Sequence, residues 1–149
     1  MDEIKNAADR ITYLTGVITP LLLKIPDDEI SAKPAPEKWS RKEIIGHLVD
    51  SAANNHRRFI AARIEDTPNI FYNQDEWNRL THYNEMDTAV LIRLWQHYND
   101  FIAHIIRHIP TDDLMRKCRT GNSEHTLKYI ITDYVVHLEH HLRQLVQYH

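Results

Sequence analysis

The sequence predicts an all-α protein, a four-helix bundle, on three observations. Apolar residues recur at three- and four-residue steps through most of the chain, only three glycines occur (Gly16, Gly46, Gly121), and no alternating β-branched run is bounded by turn residues. Hairpins and bulges normally draw on glycine for positive φ, so its scarcity argues against a sheet. The first helix covers Asp2 to about Lys24, with Ile4, Ala8, Ile11, Leu14, Val17 and Ile18 on one stripe, and Pro20 is expected to kink or split it. Pro26, Pro34 and Pro36 then mark a loop. Ser40 followed by Glu43 reads as a capping box, opening a second helix that carries Ile44, Ile45, Leu48, Ala52 and Phe59 and runs to about Arg63. Residues 65–86 form a polar, aromatic connection, long for a compact domain and therefore a candidate lid or crossover. Asp87 caps a third helix bearing Leu91, Leu94, Trp95, Tyr98, Ile102 and Ile105, which ends before Pro110. A turn containing Gly121 leads to the last helix, about Thr126 to Gln147, with Leu127, Ile131, Tyr134, Leu138, His141 and Leu145 facing inward.

The 149 residues suit one domain, 1–149, burying roughly 70% of its unfolded surface, and contain no repeat or low-complexity tract. A single cysteine, Cys118, placed in a turn, cannot form an internal disulfide, and no apolar run approaches the roughly 20 residues that span a bilayer. The N-terminus lacks the basic-then-apolar layout of a secretory signal, so the expected setting is cytoplasmic, with no membrane partner. A net charge of -3, with no basic run longer than Arg57-Arg58, gives no footprint for nucleic acid.

Histidine is the anomaly, with 11 in the chain. His137 and His141 stand one turn apart on the last helix, and at about 100° per residue they share one flank of its apolar stripe. His47 falls at the stripe edge of the second helix, alongside Ser51 and Asn55, whereas His140 points to the opposite face of the last helix as a solvated bystander. Two imidazoles at i and i+4 joined by a third from another helix make an open, three-coordinate metal site of catalytic type. The spacing alone also fits partly exposed, hydrogen-bonded histidines, and His104 with His108 repeats it on the third helix.

Beyond spacing, Trp39, Ser40, Glu43, Ile44, Gly46, His47, Leu48, Asp50 and Ser51, then Tyr72, Gln74, Asp75, Trp77 and Tyr83-Asn84-Glu85, then Asp133, Tyr134, His137, His140, His141 and Gln144 resemble the DinB/YfiT-like family of metal-dependent enzymes over nearly the whole chain. The resemblance implies an up-down-down-up bundle with the long connection crossing over between the second and third helices. It also implies one divalent metal ion on His47, His137 and His141, and a homodimer. Thiol-dependent transferases and a thiol-using isomerase among that family's members make a low-molecular-weight thiol a candidate co-substrate. Three neutral imidazoles suit zinc or nickel, and also iron or copper, leaving the ion with its full charge and an open position. The chemistry then available is transfer to, or hydrolysis of, a small electrophilic or thiol-conjugated substrate. Asp133, one turn before His137, and Asp50, just after His47, are candidates for orienting an imidazole; the alternative for each is a solvated surface acid. Glu43 belongs to the capping box, and Arg143, near the histidine pair, is expected as an exposed helix arginine, the alternative being a contact to a substrate anion. Tyr72, Gln74, Asp75, Trp77 and Tyr83 suit a cover over the site, while Trp39, Trp77 and Trp95 are read as packing residues. The rival reading is a non-enzymatic metal-binding or dimeric interaction module.

Overall fold

The computed structural model describes residues 2–149. In chain order its elements are α1 (Asp2–Leu23), α2 (Asp27–Ile30), α3 (Arg41–Ile64), α4 (Gln74–Thr81), α5 (Thr88–Arg107), β1 (Lys117–Arg119), β2 (Glu124–Thr126) and α6 (Leu127–Leu145). The four long helices, α1, α3, α5 and α6, make the bundle, and cross-helix contacts fix their directions. Thr15 donates to Asp100 and Arg107 to Asp9, so α1 and α5 run antiparallel. Arg10 grips Glu139 and Lys128 lies near Glu3, so α1 and α6 run parallel. His47 meets His137 while Phe59 meets Tyr134, so α3 opposes α6. Lys42 reaches Asn84, just before α5, His56 meets Tyr98, and Arg63 pairs with Asp113, just after α5, so α3 and α5 are parallel. The order is up-down-down-up. Two parallel neighbours in sequence require a crossover, which is what residues 65–87 supply.

The expected stripes form the core: Ile11, Leu14, Ile18, Phe59, Leu91, Trp95, Ile102, Leu127, Ile131 and Leu138 are fully or almost fully buried. Leu94 is the exception, 41% exposed on the outer face of α5. At α3 the capping box is complete: Ser40 Oγ accepts from Glu43 N–H at 3.0 Å, and Glu43 Oε1 accepts from Ser40 N–H at 2.9 Å. Asp87 and Thr126 cap α5 and α6 through their side chains.

The structure departs from the sequence reading in four places. Of the two outcomes expected at Pro20, a split does not occur: α1 runs through it without a break. Its missing N–H and ring clash with residue 16 cost about 3 kcal/mol in a helix interior, but Pro20 faces solvent in the last turn. Burying Ile18 and Leu22 beside it contributes about 1.5–3 kcal/mol each. Next, α2 adds one turn in the proline-marked loop. The crossover is not structureless, because it contains α4, capped by Asn73, and a 3-10 turn at Tyr83–Glu85. Finally, β1 and β2 form a small antiparallel hairpin, with Gly121 at φ +87° in its turn, where an L side chain is strained. That hairpin buries Cys118, which lies in β1 rather than in a turn.

Candidate metal centre

α3 and α6 bring His47, His137 and His141 together: one ring nitrogen from each lies within 4.8 Å of the other two. The Nε2 atoms of His47 and His137 face each other at 3.1 Å. His47 is buried rather than at an exposed edge, because the Trp39 ring, 4.9 Å away between centroids, covers the side of α3 that the bundle leaves open. Burial and the neighbouring imidazoles push His47 down to about 3 and His137 to about 4, and burial also lowers His141. All three are therefore neutral at physiological pH, the protonation state in which an imidazole offers a lone pair. Gln144 Oε1 accepts from His141 Nδ1–H at 2.9 Å, which fixes the tautomer that leaves Nε2 bare.

These residues fit a divalent ion. Tetrahedral coordination at ~2.1 Å places ligand nitrogens roughly 3.4 Å apart, close to the His47–His137 spacing and a small side-chain adjustment from the rest. Among the described residues no further His, Cys, Asp or Glu joins the cluster, so the donor set stops at three. His140, as expected, is exposed beside His141 and outside the cluster, and the His104–His108 pair stays a surface feature of α5.

The two candidate orienting acids separate. Asp133 is exposed on the wall of a cavity beside His137, and no imidazole donates to it. Asp50 is 4% exposed, so it is no solvated surface acid; its Oδ1 accepts from the Tyr83 hydroxyl at 2.5 Å, and burial raises its carboxyl to about 6. Its Oδ2 and His47 Nδ1 are both buried without a hydrogen-bond partner among the described residues. Sequence reading missed Gln144 as the residue that orients His141; its position one turn after the pair was the available signal. It also missed the role of Gly46: a Cβ there would sit 2.1 Å from the Tyr83 ring, so only glycine lets the crossover lie this close to α3. Asn78 of α4 donates to the Glu43 carbonyl at 2.8 Å, tying the same segment down. Tyr72, Gln74 and Asp75 do line clefts at the site, but Trp77 is 41% exposed, packing on Tyr72 outside. Of the three tryptophans only Trp95 is fully buried, and Arg143 lies outside, against Glu139.

Two clefts meet at the cluster. One, about 310 Å³, ends at His137 and has Ser51, Asn55 and Arg58 of α3 on its floor. The other, about 840 Å³, ends at His141 and Gln144 under Trp39. Gln74 borders both.

Fold and site together define a class: a four-helix bundle of up-down-down-up order with a three-histidine cluster of metal-ligating composition at the junction of two clefts. The chain belongs to the DinB superfamily, whose family model matches residues 11–145. It is 24% identical over 147 residues to a protein of Halalkalibacterium halodurans named "putative metal-dependent hydrolase", covering 97% of this chain and 85% of that one. It is likewise 24% identical over 112 residues to Bacillus subtilis YfiT, which bears the same designation, covering 73% of this chain and 63% of YfiT. The solved structure of Bacillus subtilis YfiT, described as "a probable metal-dependent hydrolase with an unusual four-helix bundle topology", superposes with a TM-score of 0.82 at 20% identity. That match covers 95% of this chain and 83% of YfiT. Among the described residues no helix is long and apolar enough to cross a membrane.

Proposed function

We propose that this protein is a metal-dependent enzyme that holds one divalent ion on His47, His137 and His141 and promotes attack of water or a small thiol on a small electrophilic substrate. The observation that carries the reading is the convergence of three neutral imidazoles at the meeting point of two clefts, with no fourth protein ligand among the described residues. A closed, four-ligand set would have favoured a structural ion. When bound, a divalent ion supplies a Lewis acid that acidifies a coordinated water or thiol. The chain's own residues do the rest. Gln144 keeps the His141 lone pair aimed inward, Trp39 and the crossover exclude solvent from His47, and the two clefts give separate approaches from the His137 and His141 sides. Hydrolysis is the reading nearest to how the relatives are named. Transfer to a thiol gains support from the second, larger cleft, which has room for a co-substrate.

Metal content of protein prepared without a histidine tag tests the ligand set. Wild type is expected to hold about one ion per chain and His137→Ala far less, with the fold retained by circular dichroism. Stoichiometric metal in the mutant would overturn the assignment.

A further inference from the structure

The smaller cleft holds a cation with no counter-ion. Arg58 lies half-buried in its floor; its Nε and Nη2 donate to the Ile70 carbonyl at 3.1 and 2.8 Å, and its Nη1 donates to Asn55 Oδ1 at 3.3 Å. A guanidinium has five N–H donors, so one remains on each terminal nitrogen. Among the described residues no carboxylate pairs with it. Its ionisable neighbours Cys118 and Tyr72 are both pushed up by burial and stay neutral. The one acid lining the cleft, Asp133, is exposed and projects from α6.

Helix geometry then relates this cation to the metal centre. Eleven positions separate His47 from Arg58, which at about 100° per residue returns to within about 20° of the same face of α3, and Ser51 and Asn55 fall between them. The axial separation is about 16 Å at ~1.5 Å per residue. Arg58 leans one turn back toward His47, as its bond to Asn55 shows, leaving about two turns, roughly 11 Å, between guanidinium and imidazole. A cleft of about 310 Å³ has the volume of about ten waters at ~30 Å³ each, and so fits a small, elongated ligand.

We propose that the cleft beside His137 is a substrate subsite in which Arg58 binds a carboxylate, so that the substrate class is a small carboxylic acid whose reactive group lies at the end away from the carboxylate. This rests on the metal-dependent reading above and adds the chemistry of the substrate to it. One free N–H on each terminal nitrogen matches a bidentate carboxylate. With one guanidinium in the cleft and the Asp133 carboxyl also on its wall, the charge balance suits one negative charge better than the two of a phosphate. The cation also has a structural duty, holding Ile70 and through it the start of the crossover, so the test must separate the two roles.

The probes are suberic acid monohydroxamate, whose hydroxamate seeks the ion and whose far end is a carboxylate, and neutral octanoyl hydroxamate. Both are titrated into zinc-loaded wild type and Arg58→Gln by calorimetry. The carboxylate is expected to tighten binding at least tenfold in wild type and by nothing in Arg58→Gln, with zinc content and octanoyl hydroxamate affinity unchanged. Equal affinities in wild type would overturn the subsite, as would an unaltered carboxylate preference in a folded Arg58→Gln.

A second measurement on wild type alone needs neither the ion nor a variant that folds. In ¹⁵N-labelled protein, glutarate is expected to move the Arg58 Nε–H resonance while glutaramide does not. Identical behaviour with the two, or a stronger response to propylphosphonate than to glutarate, would refute the carboxylate assignment. Failure of both hydroxamates with a retained glutarate response would instead sink the metal reading and leave the subsite standing.

Discussion

Gly46→Ala places a methyl group where the Tyr83 ring now sits. The new Cβ would meet three ring carbons at 2.1, 2.3 and 2.5 Å, about an ångström inside ordinary van der Waals contact. Neither side yields cheaply, since Gly46 lies in the buried second turn of α3 and Tyr83 is 4% exposed, with its hydroxyl held by Asp50. Overpacking of this kind costs about 1–3 kcal/mol. Moving the ring also breaks a buried hydrogen bond to a carboxyl whose other oxygen already lacks a partner, adding about 1–3 kcal/mol. Against this, alanine is favoured over glycine in a helix interior by about 1 kcal/mol. The net expectation is a destabilisation of about 1–5 kcal/mol, which at about 2–4 °C per kcal/mol lowers Tm by roughly 2–20 °C. Gly16→Ala is the control: its Cβ meets nothing within 4 Å, so the helix term stands alone and stability should rise by up to about 1 kcal/mol. Differential scanning calorimetry on the two variants reads both signs. A Gly46→Ala protein as stable as wild type would refute the close packing of the crossover on α3.

Other consequences are separable. Gln144→Ala removes the acceptor that fixes the His141 tautomer and should weaken divalent-ion affinity about 10- to 100-fold, measured by competition with a chelating dye, with Tm of the metal-free protein nearly unchanged. Metal-free protein should also lose stability in mild acid. His47 and His137 resist protonation when folded, to about 3 and about 4, whereas in the unfolded chain they take up protons near 6.5. Their stabilising contribution is thus complete above about pH 6.5 and falls as pH drops toward their folded values. Asp50 works in the opposite sense, gaining a proton in the folded state near pH 6, before it would in the unfolded chain. The net difference of about one proton between pH 6 and pH 4 gives about 1.4 kcal/mol per pH unit. Urea midpoints at pH 7.5, 6 and 5 measure it, and a flat profile would contradict the buried, neutral state of the imidazoles.

What was legible in the sequence follows from which interactions are local. The long helices announce themselves through repeated apolar steps and through side chains at Ser40, Glu43 and Asp87 that cap their own termini. Spacing likewise brought His137 and His141 to one flank. The burial of His47 was not readable, because Trp39 comes from a loop whose path no periodicity records. Nor was the position of Asp50, since its partner Tyr83 lies across the crossover and the close approach is enabled by the absence of a side chain at Gly46. The helix α4 has eight residues, too few for a periodic stripe, though Asn73 ahead of Asp75 and Glu76 was a cap signal in plain view. Strands of three residues, as in β1 and β2, carry no alternation to detect. The orphaned charge on Arg58 shows only once the strand-like stretch at Ile70 has claimed its other donors.

The central claim is that His47, His137 and His141 hold an ion with an open position, and cobalt(II) addresses it most directly. Titrated into metal-free protein, cobalt(II) is expected to give visible absorption that saturates at one ion per chain, shifts on addition of azide, and is lost in His47→Ala and in His141→Ala. Saturation with no response to azide would mean a closed site, and an undiminished spectrum in either variant would mean that the ion sits elsewhere.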